Sequence, residues 1–346
     1  MSETERAFER FARLEARGSS PLYETLARGV AGDDDLLALA AEAPDDQPSP
    51  NLLLAAVQHL LFARPDAPLG AYYASVSDSA KPPEEGAFEA FREFCLDHRD
   101  VLSELLSSRR LQTNLVRRCA VLLPAFEYVS RRCDRTPLGL VDVGTSAGLN
   151  LLWDRYDYEF TDYGHYGDGE SPVRIPCGVL GMADPPFPEE MPPVGTRLGI
   201  DLNPLDVRDD EDARWLRALV WPELEERRSL TEAAVSVARE HPPELVRGDA
   251  VADLHDACER VPEGEQLCIV NTHTLYQFTL ERQAEFEEAV ERIGEDRDLF
   301  WLWCEPAGDR PEVRLTEYDD GDSSTDLLAY HDAHGRWLEW LPESDP

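Results

Sequence analysis

The sequence predicts an α/β protein: a mostly parallel sheet with crossover helices, an all-helical N-terminal region and a C-terminal antiparallel hairpin. Three observations carry this. Up to about residue 136, apolar residues recur at spacings of three and four, the period of a helix. Beyond residue 137, short apolar runs alternate with helical segments, the pattern of strand–helix–strand units. The last segments alternate apolar and polar residues on either side of a glycine turn.

The N-terminal part, 1–136, reads as helices over Glu5–Arg17, Pro21–Arg28, Leu36–Glu42, Leu52–Leu61, Phe88–Ser108 and Leu111–Arg132, separated by proline- and glycine-rich joints. The second part, 137–346, reads as strands over Leu138–Val143, Arg197–Asp201, Glu244–Arg247, Gln266–Asn271 and Leu299–Cys304. Asp326–His331 and Arg336–Leu341 form the hairpin, with Gly335 in its turn. The stretch at about 154–196 is rich in Tyr, Gly and Pro, fits neither pattern, and is expected to be a β-rich insertion.

Composition narrows the function. With 42% hydrophobic residues the chain has ample material for a core, yet its formal charge is -37, from 70 acidic and 33 basic residues. Lys81 is the sole lysine, and acids are dense in every segment. Such a surface suits a halophilic, salt-rich cytoplasm, where a Debye length of about 3 Å screens the self-repulsion. Basic residues gather no further than doublets such as Arg117–Arg118, so a nucleic-acid partner is not expected. Seven cysteines form no C-x-x-C pair, which points to reduced core thiols and to no bound metal. The N-terminus has no signal-peptide core, and the longest apolar stretch, Leu52–Ala63, is interrupted by Gln58 and His59 and too short for a bilayer. The expectation is a soluble cytoplasmic protein with a small-molecule substrate and no membrane partner.

The chemistry-bearing motif is Leu138–Asn150, LGLVDVGTSAGLN, a strand leading into a glycine turn and a helix start. Gly144 and Gly148 remove side chains where the backbone turns and a ligand approaches, and a following helix would offer its amides to the same cleft. The pattern matches the acidic-x-Gly-x-Gly-x-Gly motif of S-adenosylmethionine enzymes, with Ser146 at the central glycine. Two later strands also end in acids. Asp201, in GIDLNPLDV beside Asn203, could accept both ribose hydroxyls, and Asp249, in LVRGDA, could accept from an adenine amine. Cofactor-binding candidates are therefore Asp142, Gly144, Ser146, Gly148, Asp201, Asn203 and Asp249. The parallel sheet with its closing hairpin is the architecture of the Rossmann-like class I methyltransferase fold, whose final strand inserts antiparallel to the others.

In that fold the residues after the fourth strand face the transferred methyl. Here they are N-T-H-T-L-Y, making Asn271, His273 and Tyr276 the catalytic candidates, as acceptor, base and aromatic wall. Gln112, Asn114 and Arg117, on a polar stretch of the helical region, are candidates for binding substrate. Two other readings stay open. A module of the same fold could bind a nucleotide for regulation without catalysis. Gly144–Gly148 also spells G-x-S-x-G, the nucleophile elbow of serine hydrolases, with Asp249 or Asp319 and then His331 or His334 completing the order Ser, acid, His. Against the hydrolase, everything upstream reads helical and holds no oxyanion-loop segment.

RRLQTNLVRRC, VDVGTSAGLNLLWDRY, GIDLNPLDV, ARWLRALVWPE and VRGDA occur here in one order, and together they resemble the domain-of-unknown-function family numbered 2332. The resemblance runs from about Phe8 to Leu341. It implies a fold similar to that of S-adenosylmethionine-dependent methyltransferases and S-adenosylmethionine as cofactor. It brings no catalytic residues to carry over.

Overall fold

The computed structural model describes residues 2–112 and 114–342. The chain divides into two compact units, Met1–Thr113 with Asp209–Ser229, and Asn114–Arg208 with Leu230–Pro346. The first unit is helical. Its central helix, Ser49–Phe62, is buried on all sides from Leu52 to Leu61, which requires an apolar sequence without an amphipathic stripe. The two polar residues that interrupt its sequence are bonding devices. The Gln58 amide donates to the carbonyls of Ala218 (3.0 Å) and Val220 (2.6 Å), and His59 Nε2 meets Glu211 at 3.1 Å. These bonds tie Asp209–Ser229 to the N-terminal helices.

The sequence predicts one helix over Phe88–Ser108. Two are present, Ala87–Asp97 and Arg99–Ser108, because His98 turns out of helical geometry and its ring bonds the Phe94 carbonyl. In Leu111–Arg132, the helix proper is Cys119–Arg132, preceded by a single tight turn at Val116–Arg118. Among the described residues, no helix is long and apolar enough to cross a membrane.

The second unit is built on one eleven-stranded sheet: β1 (Leu138–Val143), β2 (Asp157–Phe160), β3 (Gly164–Tyr166), β4 (Arg174–Leu180), β5 (Val194–Asp201), β6 (Glu244–Arg247), β7 (Gln266–Thr272), β8 (Leu299–Ala307), β9 (Arg310–Asp319), β10 (Asp322–His331) and β11 (Trp337–Trp340). The order is β3-β2-β4-β11-β10-β9-β8-β7-β1-β5-β6. The strands from β6 to β8 in this order are all parallel, so every strand expected from the apolar runs is present in the arrangement expected. β1 lies in the middle of this parallel segment, with all six residues buried. One sheet face, carrying Val141, Val143, Ile200 and Ile269, packs on Leu254, Phe286 and Val290 from the helices Leu254–Glu259 and Leu280–Asp296. On the other, Leu122 and Phe126 of the helix Cys119–Arg132 face Leu140, Asp142 and Val270 around a small cavity, about the size of one water.

Two expectations are corrected, and the stretch after Trp153 joins the same sheet. The C-terminal hairpin β10–β11 forms, but it is half of a four-strand antiparallel meander. β8 turns at Gly308 straight into β9, so the last strand lies beyond β10 and is not inserted beside β8. The β-rich insertion forms β2 to β4 and extends the same sheet, through the parallel pairing of β4 with β11. Finally, the glycine turn leads into a 3-10 segment, Leu149–Arg155, broken at Leu152, and not into an α-helix. Side-chain donors take the carbonyls an α-helix would use: the Tyr156 hydroxyl bonds Leu149 O at 2.7 Å and Arg197 bonds Leu151 O at 2.9 Å.

Candidate functional site

The loop after β1 is fixed by its own backbone and by three side chains. Gly144 has φ +75° and Gly148 φ +71°, the left-handed region where a Cβ is strained. Space excludes one as well. A Cβ on Gly144 would lie 2.4 Å from the Thr274 side chain, and on Gly148 2.7 Å from Pro243. The glycines therefore admit neighbouring protein segments to the loop. Asn114 clamps the loop: its amide donates to Thr145 O (2.9 Å), and its carbonyl oxygen accepts from Leu149 N (3.1 Å). Read from sequence as a substrate residue, Asn114 spends both ends of its side chain on the loop. The Leu149 amide, the first of the 3-10 segment, is thereby taken.

Two carboxylates meet here. Asp142 is 4% exposed and accepts from the Thr145 hydroxyl at 2.7 Å. Burial pushes its carboxyl up to about 7, and the neighbouring Asp201 adds to the rise, against the Thr145 bond. Asp201, at the end of β5, accepts the Ser146 amide on one oxygen (2.9 Å) and the Asn203 amide on the other (2.8 Å). Ser146 itself is left-handed (φ +55°), and its hydroxyl is buried without a partner among the described residues. Asn203 Oδ1 in turn accepts from Arg247 at 3.0 Å. At the end of β6, Asp249 Oδ1 receives the amides of Val251 and Ala252, each at 2.9 Å, and the Arg282 guanidinium, which together hold its carboxyl below the ordinary range against its desolvation.

The family model described as "Uncharacterized protein conserved in bacteria (DUF2332)" matches residues 5–340. The chain belongs to this family. No curated protein and no solved structure matches it.

In this DUF2332 chain the segment after β7 is organised by a residue that sequence reasoning passed over. Glu305, on β8, is 1% exposed, and its carboxylate gathers Asn271 Nδ2 (2.7 Å) and the consecutive amides of Thr274 (2.7 Å), Leu275 (3.0 Å) and Tyr276 (3.3 Å). Three successive amides on one anion make a nest, the arrangement that binds phosphates elsewhere, here filled by the protein's own acid. Burial raises the Glu305 carboxyl and the four donors oppose that rise. Asn271 is fully buried, its other atom taken by the Trp301 indole at 2.7 Å, so it supports the loop and is not presented to a ligand. His273 is left-handed (φ +52°), with Nε2 buried and unpartnered among the described residues. Burial drives its imidazole down to about 3, with the charge of Arg118 pushing the same way, so the ring is neutral and too weakly basic to act as the expected base at neutral pH. Tyr276 is 56% exposed, its ring 6.1 Å from that of His273.

The remaining candidates separate. Gln112 belongs to the first unit and Arg117 to the second, where burial lowers the Arg117 guanidinium. The hydrolase constellation is not assembled. His331 bonds Cys304 Sγ (3.3 Å) and Asp332 O (2.9 Å), Asp249 bonds Arg282, and Asp319 and His334 are exposed at opposite ends of the meander strands. The signal for Glu305 was present in the sequence. WLWCEP carries an acid at a strand end, the feature that flagged Asp142, Asp201 and Asp249.

Proposed function

We propose that this DUF2332 protein binds S-adenosylmethionine along the carboxyl ends of β1, β5 and β6 and transfers its methyl group to a small-molecule acceptor. The observation that carries the reading is the parallel order β6-β5-β1-β7-β8. The order reverses at β1, and ligands of open parallel sheets bind at such a reversal, outside the carboxyl ends of the strands. The glycine loop leaves β1 at that point, and β5 and β6 end beside it in acids.

The residues present fit the adenosine end of the group. Asp201 is held rigidly by one amide on each oxygen at the carboxyl end of β5, where a carboxylate is placed to accept ribose hydroxyls. Asp249 spends Oδ1 on Val251, Ala252 and Arg282, and Oδ2 accepts from none of these donors. When bound, S-adenosylmethionine supplies an electrophilic methyl on sulfur. The chain supplies position and exclusion of water. Asn114 holds the loop in register with Asp201, Glu305 holds the segment carrying His273 and Tyr276, and the neutral His273 ring is a hydrogen-bond partner for an acceptor.

Isothermal titration of the full chain with S-adenosylmethionine in salt-rich buffer should give saturable binding. Asp201→Asn should weaken it at least about tenfold, through loss of charge-assisted hydrogen bonds worth roughly 1.5–3 kcal/mol. No heat at millimolar ligand, or equal binding by Asp201→Asn, contradicts the reading. Binding without methyl turnover on any acceptor would leave the regulatory module in its place.

A further inference from the structure

We propose that Arg118 is the anchor of a binding site for a small-molecule carboxylate, completed by His273 and Tyr276. Arg118 closes the tight turn Val116–Arg118 before the helix Cys119–Arg132 and is only 7% exposed. Its Nε donates to Ala333 O at 3.0 Å. The two terminal nitrogens have no acceptor among the described residues, and no described carboxylate pairs with the guanidinium. Burying an arginine with no carboxylate bonded to it costs several kcal/mol, although Glu305 and Asp332 act on its charge without bonding it, and the group stays charged whatever its surroundings. A ligand carboxylate on the two terminal nitrogens would offset that cost.

Two contacts build the site. The turn between β10 and β11 sits directly on the arginine's backbone. Gly335 has φ +74°, and a Cβ there would lie 2.6 Å from Arg117 O and 2.9 Å from Arg118 N. With Ala333 O on Nε, this close docking fixes the Arg118 backbone and the root of its guanidinium. Beside it stands His273, neutral, with its own buried and unpartnered Nε2. The surrounding groups are already spent. His331, 5.7 Å from His273 ring to ring, bonds Cys304 and Asp332, and Glu305, whose charge Arg118 feels, is occupied by four N–H donors. What remains is one planar cation and one neutral ring nitrogen, with the Tyr276 ring edge-on to that imidazole.

The charge balance selects the ligand class. A guanidinium fork matches a carboxylate with two parallel N–H···O bonds. One unpaired positive charge is neutralised by one monoanion, whereas a phosphate dianion would set a second negative charge near buried Glu305. The occupant's role as the methyl acceptor rests on the function proposed above; the anion site itself does not.

Calorimetry on the full chain, without S-adenosylmethionine and at fixed ionic strength, tests this with acetate, benzoate and inorganic phosphate. A carboxylate should bind saturably and at least about fivefold tighter than phosphate, and Arg118→Lys should lose about tenfold through loss of the fork geometry. His273→Gln should lose a few-fold. Absence of binding by both carboxylates, preference for phosphate, or equal affinity in Arg118→Lys overturns the proposal. If circular dichroism shows Arg118→Lys unfolded, His273→Gln decides, and unchanged affinity there overturns it. Because no cofactor is added, loss of S-adenosylmethionine binding and loss of carboxylate binding are read separately.

Discussion

Asp142→Asn should stabilise the protein at pH 8 by up to about 4 kcal/mol and leave it nearly unchanged at pH 4. The carboxyl ordinarily ionises near 3.8 and does so near 7 in the fold, because burial and the neighbouring Asp201 disfavour its charge. A raised value means that the folded state prefers the protonated form. The corresponding stability is therefore complete below about pH 4 and is lost as pH rises through 7, at about 1.4 kcal/mol for each pH unit between the two values. Asparagine has nearly the shape of the protonated acid, and its carbonyl oxygen can still accept from the Thr145 hydroxyl. Urea denaturation of both proteins between pH 4 and 8 measures the difference. A variant less stable than wild type at pH 8 would mean that the ionised Asp142 has a favourable partner.

Glu305→Ala should cost about 3–5 kcal/mol, because it strands four donors at once, three of them buried: the Asn271 amide and the backbone N–H groups of residues 274 to 276. Glu305→Gln keeps an oxygen for the nest and should cost about 1–2 kcal/mol. Urea denaturation gives both values, and hydrogen exchange should rise in residues 273–276 in the alanine variant before it rises in β1. Equal losses for the two substitutions, or unchanged exchange in that segment, would mean that Glu305 does not hold the loop.

Much of the second unit was legible because its signals are local. Leu138–Val143 and Gln266–Asn271 are apolar runs of strand length bounded by turn residues, and buried parallel strands must read that way. β9 was not legible: RPEVRLTEYD is half charged, and its place between β8 and β10 depends on pairing and not on apolar content. The α-helix expected after Gly148 failed for a related reason. Tyr156, Arg197 and Asn114, distant in sequence or beyond the turn, take the backbone groups that an α-helix would pair internally. At the site, residue types pointed to the right places, but tertiary partners set the roles. Asn271 and Asn114 brace backbone, while Arg118 and Glu305 stand out only once burial and the partners of each nitrogen and oxygen are known.

A crystal structure of the full chain grown with S-adenosylhomocysteine, the demethylated form of the cofactor, tests the central claim most directly. Adenosine density is expected outside the carboxyl ends of β5 and β6, with the ribose hydroxyls on Asp201 and the adenine amine at Asp249. Density elsewhere, with no ligand atom on Asp201, would contradict it.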